Sequence, residues 1–112
     1  MAVANVELGA VAFADRADGA INGTCHRSEA LTISGTEAEL ATAVSTAEVQ
    51  AGVCVARVQT DDTACYVAVG SAPDTTFTQK TSASSARRLI PAGGYIELQV
   101  IAGDKVAVKA VA

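Results

Sequence analysis

The sequence predicts a single all-β domain, an antiparallel β-sandwich of the jelly-roll kind with an irregular N-terminal segment. Three observations lead to this prediction. Apolar and polar residues alternate with the period of two that is typical of strands, turn-forming residues recur at short intervals, and 112 residues leave room for little more than one domain. Together they indicate about seven or eight short strands packed as a sandwich.

The first thirty residues are the least regular part of this pattern. Residues 3–13 are strand-like but loosely patterned, and residues 15–28 are rich in turn formers. Two interpretations stay open for residues 1–30: an extended N-terminal arm that orders on a partner, or an edge strand of the sandwich followed by a loop. A short strand is expected at 31–34. Residues 37–48 could supply one or two helical turns, although their Thr and Ser residues weaken a helix.

Residues 53–69 are predicted to form a β-hairpin, because two β-forming runs flank the turn-forming pair Asp61-Asp62. With a two-residue loop, one apolar face would hold Cys54, Ala56, Val58, Cys65, Val67 and Val69. The opposite face would hold Val55, Arg57, Gln59 and Tyr66. In this register Cys54 does not face Cys65, so we expect no disulfide and predict both as buried, reduced thiols.

Residues 95–111 are predicted to form a second hairpin around a three-residue loop at 102–104. With this loop length, apolar residues pair with apolar residues on one face of the hairpin, and oppositely charged residues pair on the other. The predicted cross-strand pairs are Val100 with Val106, Leu98 with Val108, Ile96 with Ala110, and Glu97 with Lys109. Between the two hairpins, residues 71–86 are predicted to be a long polar loop whose only large apolar residue is Phe77.

Composition excludes several classes of function. Twelve acidic against eight basic residues give a net charge of −4, which disfavours a nucleic-acid-binding surface. The longest apolar run, residues 64–69, is far shorter than the roughly 20 residues of a membrane span. No secretory signal is expected, because the N-terminus lacks a basic region and Glu7 interrupts its apolar stretch. Three cysteines, an odd number, favour a reducing compartment.

The residues that could carry chemistry do not form a recognisable constellation. Cys25 and His26 are adjacent, but neighbours on an extended chain point to opposite faces, so they make a poor metal site. No nucleophile elbow, P-loop or dinucleotide fingerprint is present in the sequence. We interpret Asp61-Asp62 as an ordinary turn rather than a cation site. The sequence therefore predicts a protein that is not an enzyme and uses no metal or cofactor.

Residues 64–73, 88–98 and 103–108 carry motifs that resemble small β-rich structural proteins of tailed bacteriophages. The motifs are a Cys-Tyr-aliphatic strand followed by Gly, a Leu-x-Pro-Ala-Gly turn, and Gly-Asp-Lys-Val-Ala-Val near the end. The resemblance covers residues 50–112, and residues 1–48 carry no matching motif. It implies a capsid decoration or cement protein that binds the assembled head lattice and stabilises it. The implied partners are the major capsid protein and further copies of the chain, as a homotrimer. The implied location is the capsid surface of the virion, with the protein made in the host cytoplasm.

Two alternatives remain beside the capsid hypothesis. One is a tail or neck adaptor or fibre-associated subunit, which ring symmetry would distinguish from a trimer. The weaker one is a host-surface or glycan-binding module, disfavoured by the absence of Trp. The candidate contact residues are Val3, Val6, Leu8, Val11 and Phe13 of the N-terminal segment, Phe77 of the polar loop, and Arg57, Gln59 and Tyr66 of the first hairpin. For the last three, a plain solvent-exposed face is the competing interpretation.

Overall fold

Two antiparallel four-stranded sheets pack face to face in the structure, a computed structural model that describes residues 2–10 and 25–111. Sheet I has the strand order β2 (Cys25–Thr32), β1 (Val3–Gly9), β4 (Val55–Thr60), β7 (Tyr95–Gln99). Sheet II has the order β3 (Ala38–Glu39), β8 (Lys105–Ala110), β5 (Cys65–Gly70), β6 (Arg88–Ile90). A one-turn helix, α1 (Thr46–Gln50), precedes β4. The predicted all-β sandwich is confirmed.

The core lies between the sheets and is built mainly from small aliphatic side chains. Inward-facing positions recur every second residue, because successive side chains on a strand point to opposite faces. The buried core residues of the four central strands are Ala4, Val6 and Leu8 of β1, Ala56 and Val58 of β4, Cys65 and Val67 of β5, and Val106 and Val108 of β8. Leu8, Leu40 and Ile90 are the largest side chains that are almost completely buried.

The predicted hairpin over residues 53–69 is wrong, because its two strands belong to different sheets. β4 pairs with β1 and β7, whereas β5 pairs with β8 and β6. Val58 lies opposite Val6 and Ile96, not opposite Cys65. Residues 61–64 therefore cross from one sheet to the other. The same apolar alternation is needed whether two strands pair within one sheet or face each other across a core. The period of the sequence therefore cannot distinguish the two arrangements.

The predicted C-terminal hairpin is wrong for the same reason. β7 belongs to sheet I and β8 to sheet II, and residues 100–104 connect them across the sandwich. Glu97 lies opposite Arg57, and Lys109 lies opposite Tyr66. None of the predicted pairs between residues 96–100 and 106–110 forms. The inward alternation was nevertheless predicted correctly, since Leu98, Val100, Val106 and Val108 are all buried.

The N-terminal residues that the structure describes are not an arm, and β1 is not an edge strand. β1 lies inside sheet I, paired on one side with β2 and on the other with β4. The edge position belongs to β2, which starts at Cys25, earlier than the strand expected at 31–34. Within β1 the alternation is regular, with Ala4, Val6 and Leu8 buried and Asn5 and Glu7 on the opposite face.

The short helix α1 is fixed to strand β2 by an ion pair. Ser45 caps it, with its hydroxyl accepting from the Glu48 backbone N–H while the Glu48 carboxylate accepts from the Ser45 backbone N–H. Arg27 on β2 donates to both oxygens of Glu48, at 3.0 Å each. These bonds, the Arg27 bond foremost, lower the pKa of Glu48 from 4.5 to about 2. The helix begins at Thr46, near the end of the segment predicted to contain helical turns.

Acidification should destabilise the fold through Glu48. A carboxyl group whose pKa is lowered by folding stabilises the native state above its unfolded pKa, and this contribution is lost as the pH falls from about 4.5 to about 2. We expect about 1 to 2 kcal/mol from this group, because the pair is partly solvated. Urea unfolding of the wild type and Glu48→Gln between pH 2 and 7 measures it. The variant should be less stable at pH 7, and the gap should close near pH 2. A gap that is independent of pH would contradict this assignment.

Candidate functional site

The structure distributes the predicted contact residues over different parts of the molecule. Val6 and Leu8 are core residues, 0% and 1% exposed, so their side chains are not available to a partner in the folded chain. Val3, at the start of β1, is half-buried. Phe77 is 37% exposed in the polar loop. Val11 and Phe13 lie outside the described residues.

The three candidates from the first predicted hairpin do not share a face. Arg57 and Gln59 lie on the outer face of sheet I, whereas Tyr66 lies on the outer face of sheet II. Both the Arg57 and Tyr66 side chains take part in cation–π contacts. The Arg57 guanidinium lies 4.1 Å from the centre of the Tyr95 ring, and Arg87 lies 4.0 Å from the centre of the Tyr66 ring.

The most exposed large apolar side chains lie on or next to β6 and β7, whose common edge we call the β6–β7 edge, with Leu89 on the outer face of sheet II and Tyr95 on the outer face of sheet I. β6 and β7 are the last strands of their sheets, joined by a short turn, and within the described residues each pairs on one side only. Leu89 on β6 is 57% exposed and Tyr95 on β7 is 53% exposed. Ile101, which follows the other end of β7, is 62% exposed. An open strand edge with apolar flanks is a template for pairing with another chain.

The loop over residues 71–87 covers the centre of the outer face of sheet II. Ala68 and Ala107 point outward from β5 and β8, yet they are only 1% and 0% exposed. The loop is anchored by Glu37, whose carboxylate accepts from the Thr75 backbone N–H at 2.7 Å and from its hydroxyl at 2.6 Å. Small side chains on the sheet let the loop backbone approach closely. The loop predicted at 71–86 is therefore present, as an ordered layer on the sandwich.

A pocket of about 260 Å³, which we call the basic pocket, lies where this loop meets sheet II. It is lined by Gly35, Tyr66, Thr75, Thr76, Arg87, Lys109 and Ala110. The two charged lining residues are both basic, and both are half-buried. The nearby Asp74 carboxylate accepts from Thr76, which is the main reason that its pKa is lowered, with a smaller contribution from the charge of Lys109.

The three cysteines occupy different environments. Cys65 is buried, as predicted, and burial together with the Asp61 charge raises the pKa of its thiol to about 11. Cys54 is exposed, so its predicted burial is wrong. It precedes the first residue of β4, where the inward alternation of the strand no longer applies. Cys25 is also exposed.

Thiol labelling should separate these environments. In the native protein at pH 8, we expect Cys25 and Cys54 to react with a thiol reagent, because they are exposed, and Cys65 to react only after unfolding. Mass spectrometry of peptides from native and urea-unfolded samples gives the modified positions. Rapid labelling of Cys65 in the native protein would contradict the inward orientation of its side chain on β5.

The remaining sequence candidates take structural positions. His26 is exposed beside Cys25 on β2. Within residues 2–10 and 25–111, no three His, Cys, Asp or Glu side chains come together as metal ligands. Asp61 accepts from the Thr63 backbone N–H at 3.1 Å, which is turn chemistry, and from the Val3 backbone N–H at 3.0 Å, which ties the connection to β1. No helix in the described part of the chain is long and apolar enough to cross a membrane.

Sequence reasoning missed the residues that form the β6–β7 edge and the basic pocket. Leu89 and Ile90 are neighbours that point to opposite faces, and the sequence gives no sign of which one is buried. Arg87 and Lys109 are 22 positions apart and meet only because β5 lies between β6 and β8. The alternation in residues 105–110 places Lys109 on the outer face, but nothing local brings Arg87 to it.

Comparison with known proteins gives no assignment. No protein-family model, no curated protein and no solved structure matches this chain. The fold and the surfaces described above define its class as an all-β sandwich.

Proposed function

We propose that this chain is a non-enzymatic structural protein of a tailed-phage virion, a capsid decoration or cement protein that binds the assembled head. The motifs in residues 50–112 support the class of protein. The exposed apolar side chains of the β6–β7 edge support the association between copies of the chain that such a protein needs. In this proposal the protein is made in the host cytoplasm and resides on the capsid surface.

The β6–β7 edge is the surface through which copies of the chain associate. Leu89, Tyr95 and Ile101 are more exposed than any other large apolar side chain among the described residues. Single exposed apolar residues need no explanation, but these three lie on or next to β6 and β7, the last strands of their sheets among the described residues. Burying them against a second copy removes apolar surface from water. Closed association at this edge gives the proposed homotrimer.

The proposed second partner is the major capsid protein. Trimers bound at three-fold positions bridge neighbouring capsid subunits, so that separating the subunits requires exposing the buried seam. Among the contact residues predicted from the sequence, Gln59 and Phe77 retain exposed side chains. They lie on opposite sides of the sandwich, so one trimer has two faces available for the lattice.

Sedimentation velocity tests the association through this edge. The wild type should sediment as a trimer, and Leu89→Ser with Ile101→Ser should sediment as a folded monomer. Val49→Ser is the matched control, because Val49 is an exposed apolar residue on α1 and should leave the trimer intact. A monomeric wild type would contradict the proposal. A ring of six or twelve copies would also contradict it and would favour the tail or neck alternative.

A further inference from the structure

The basic pocket has hydrogen-bond donors for which the described residues provide no acceptor. Lys109 and Tyr66 are cross-strand neighbours on sheet II, and Arg87 stacks on the Tyr66 ring. Within the described residues, neither the Arg87 guanidinium nor the Lys109 ammonium has a hydrogen-bond acceptor or an acidic partner within ion-pair distance. Stacking holds one face of the guanidinium against the ring and leaves its in-plane N–H groups for an acceptor.

The neighbouring acidic residues do not fill this role. Glu37 and Asp74 do not line the pocket. Glu37 accepts two hydrogen bonds from Thr75, and Asp74 accepts two from Thr76. Each carboxylate is therefore held by the loop, and the pocket lining carries two positive charges without a negative one.

We propose that the basic pocket binds a carboxylate side chain, Asp or Glu, of a protein partner. A carboxylate offers one negative charge and two planar oxygens, which match one guanidinium and one ammonium group. Phosphate sites commonly use several backbone N–H groups as well, and here the backbone N–H groups of Thr75 and Thr76 are already bonded.

The surroundings of the pocket extend this recognition to a peptide segment. Leu89 pairs with Tyr66 across the sheet, on the side away from Lys109, and its side chain is exposed. In the isolated chain, a partner segment can therefore place its acidic residue in the pocket and an adjacent apolar residue on Leu89, which the proposed homotrimer would bury instead. This site is a property of the isolated chain, so its test does not depend on the virion proposal.

An NMR titration of the full ¹⁵N-labelled chain tests the site. The probe is N-acetyl-glutamate N-methylamide, and its glutamine counterpart is the uncharged control, both at constant ionic strength. We expect saturable shifts centred on Tyr66, Arg87 and Lys109 with the glutamate probe only. Arg87→Gln and Lys109→Gln should each raise its dissociation constant by about fivefold, because each removes a charge-assisted hydrogen bond.

Arg88→Gln is the matched control, because Arg88 is exposed and does not line the pocket. It should leave the dissociation constant unchanged, and the amide spectrum of each variant shows that it is folded. If Arg87→Gln does not fold, the dissociation constant of Lys109→Gln for the glutamate probe still tests the proposal. Equal weakening by Arg88→Gln, or no saturable shifts at the pocket, would overturn the proposal. Inorganic phosphate binding as tightly as the glutamate probe would also overturn the carboxylate assignment.

Discussion

Leu8→Ala is expected to lower the free energy of unfolding by about 3 kcal/mol. Leu8 is 1% exposed on the inner face of β1, a central strand of sheet I. Valine is the commonest residue of this core, and its stiff, short side chain can move little into the space left behind. The loss therefore combines the transfer free energy of the deleted atoms with the cost of an unfilled cavity. Urea unfolding followed by circular dichroism measures the change.

Val3→Ala is the matched control in the same strand. Val3 lies on the outer face of β1 and is half-buried, so we expect its replacement to cost less than about 1 kcal/mol. Both residues were contact candidates in the sequence analysis, and the pair distinguishes a core position from a surface position. Equal destabilisation by the two variants would show that β1 does not present Leu8 to the core.

Gly70→Ala is expected to cost about 2 to 3 kcal/mol and to displace the loop over residues 81–85. A Cβ atom at this end of β5 would overlap the Ala83 carbonyl oxygen and lie 2.8 Å from the Ser84 Cα atom. These neighbours are backbone atoms, which cannot rotate away as a side chain can. The loop must then lift from sheet II, and its bonds to β5 through Ser85 are lost.

Gly35→Ala is the control for Gly70→Ala, since a Cβ atom there has nothing within 4 Å. Unfolding in urea gives the stability of both variants, and amide shifts for residues 81–85 report displacement of the loop. We expect shifts in this segment with Gly70→Ala and none with Gly35→Ala. A stable Gly70→Ala with an unchanged loop would contradict the covering of sheet II by residues 71–87.

The sequence is sufficient to predict which strand faces are buried but not which strands pair. Val58, Cys65, Val67, Val106 and Val108 were all expected to face the core, and they do. Their partners were wrong because the connections at 61–64 and 100–104 cross between sheets. A tight turn and a crossing both need polar residues at the same place, and the choice between them depends on β1, which pairs with β4 from more than 45 positions away.

The candidate surfaces were less predictable than the fold. The loop over residues 71–87 was expected from its polar composition, but its position on sheet II depends on the contact of Thr75 with Glu37, 38 positions apart. Arg57 and Tyr66 were expected on one face because they were assigned to one hairpin. Once β4 and β5 separate into two sheets, these residues lie on opposite sides of the molecule.

Head binding tests the proposed function most directly. The purified chain is sedimented with tailed-phage heads that lack it, and the heads are then heated or treated with a chelator. The decoration-protein proposal predicts saturable binding, and loaded heads that survive conditions under which bare heads burst. Leu89→Ser with Ile101→Ser should bind more weakly than Val49→Ser, because the edge that forms the trimer is lost. Failure of the wild-type chain to bind heads, with binding to necks or tails instead, would contradict the proposal.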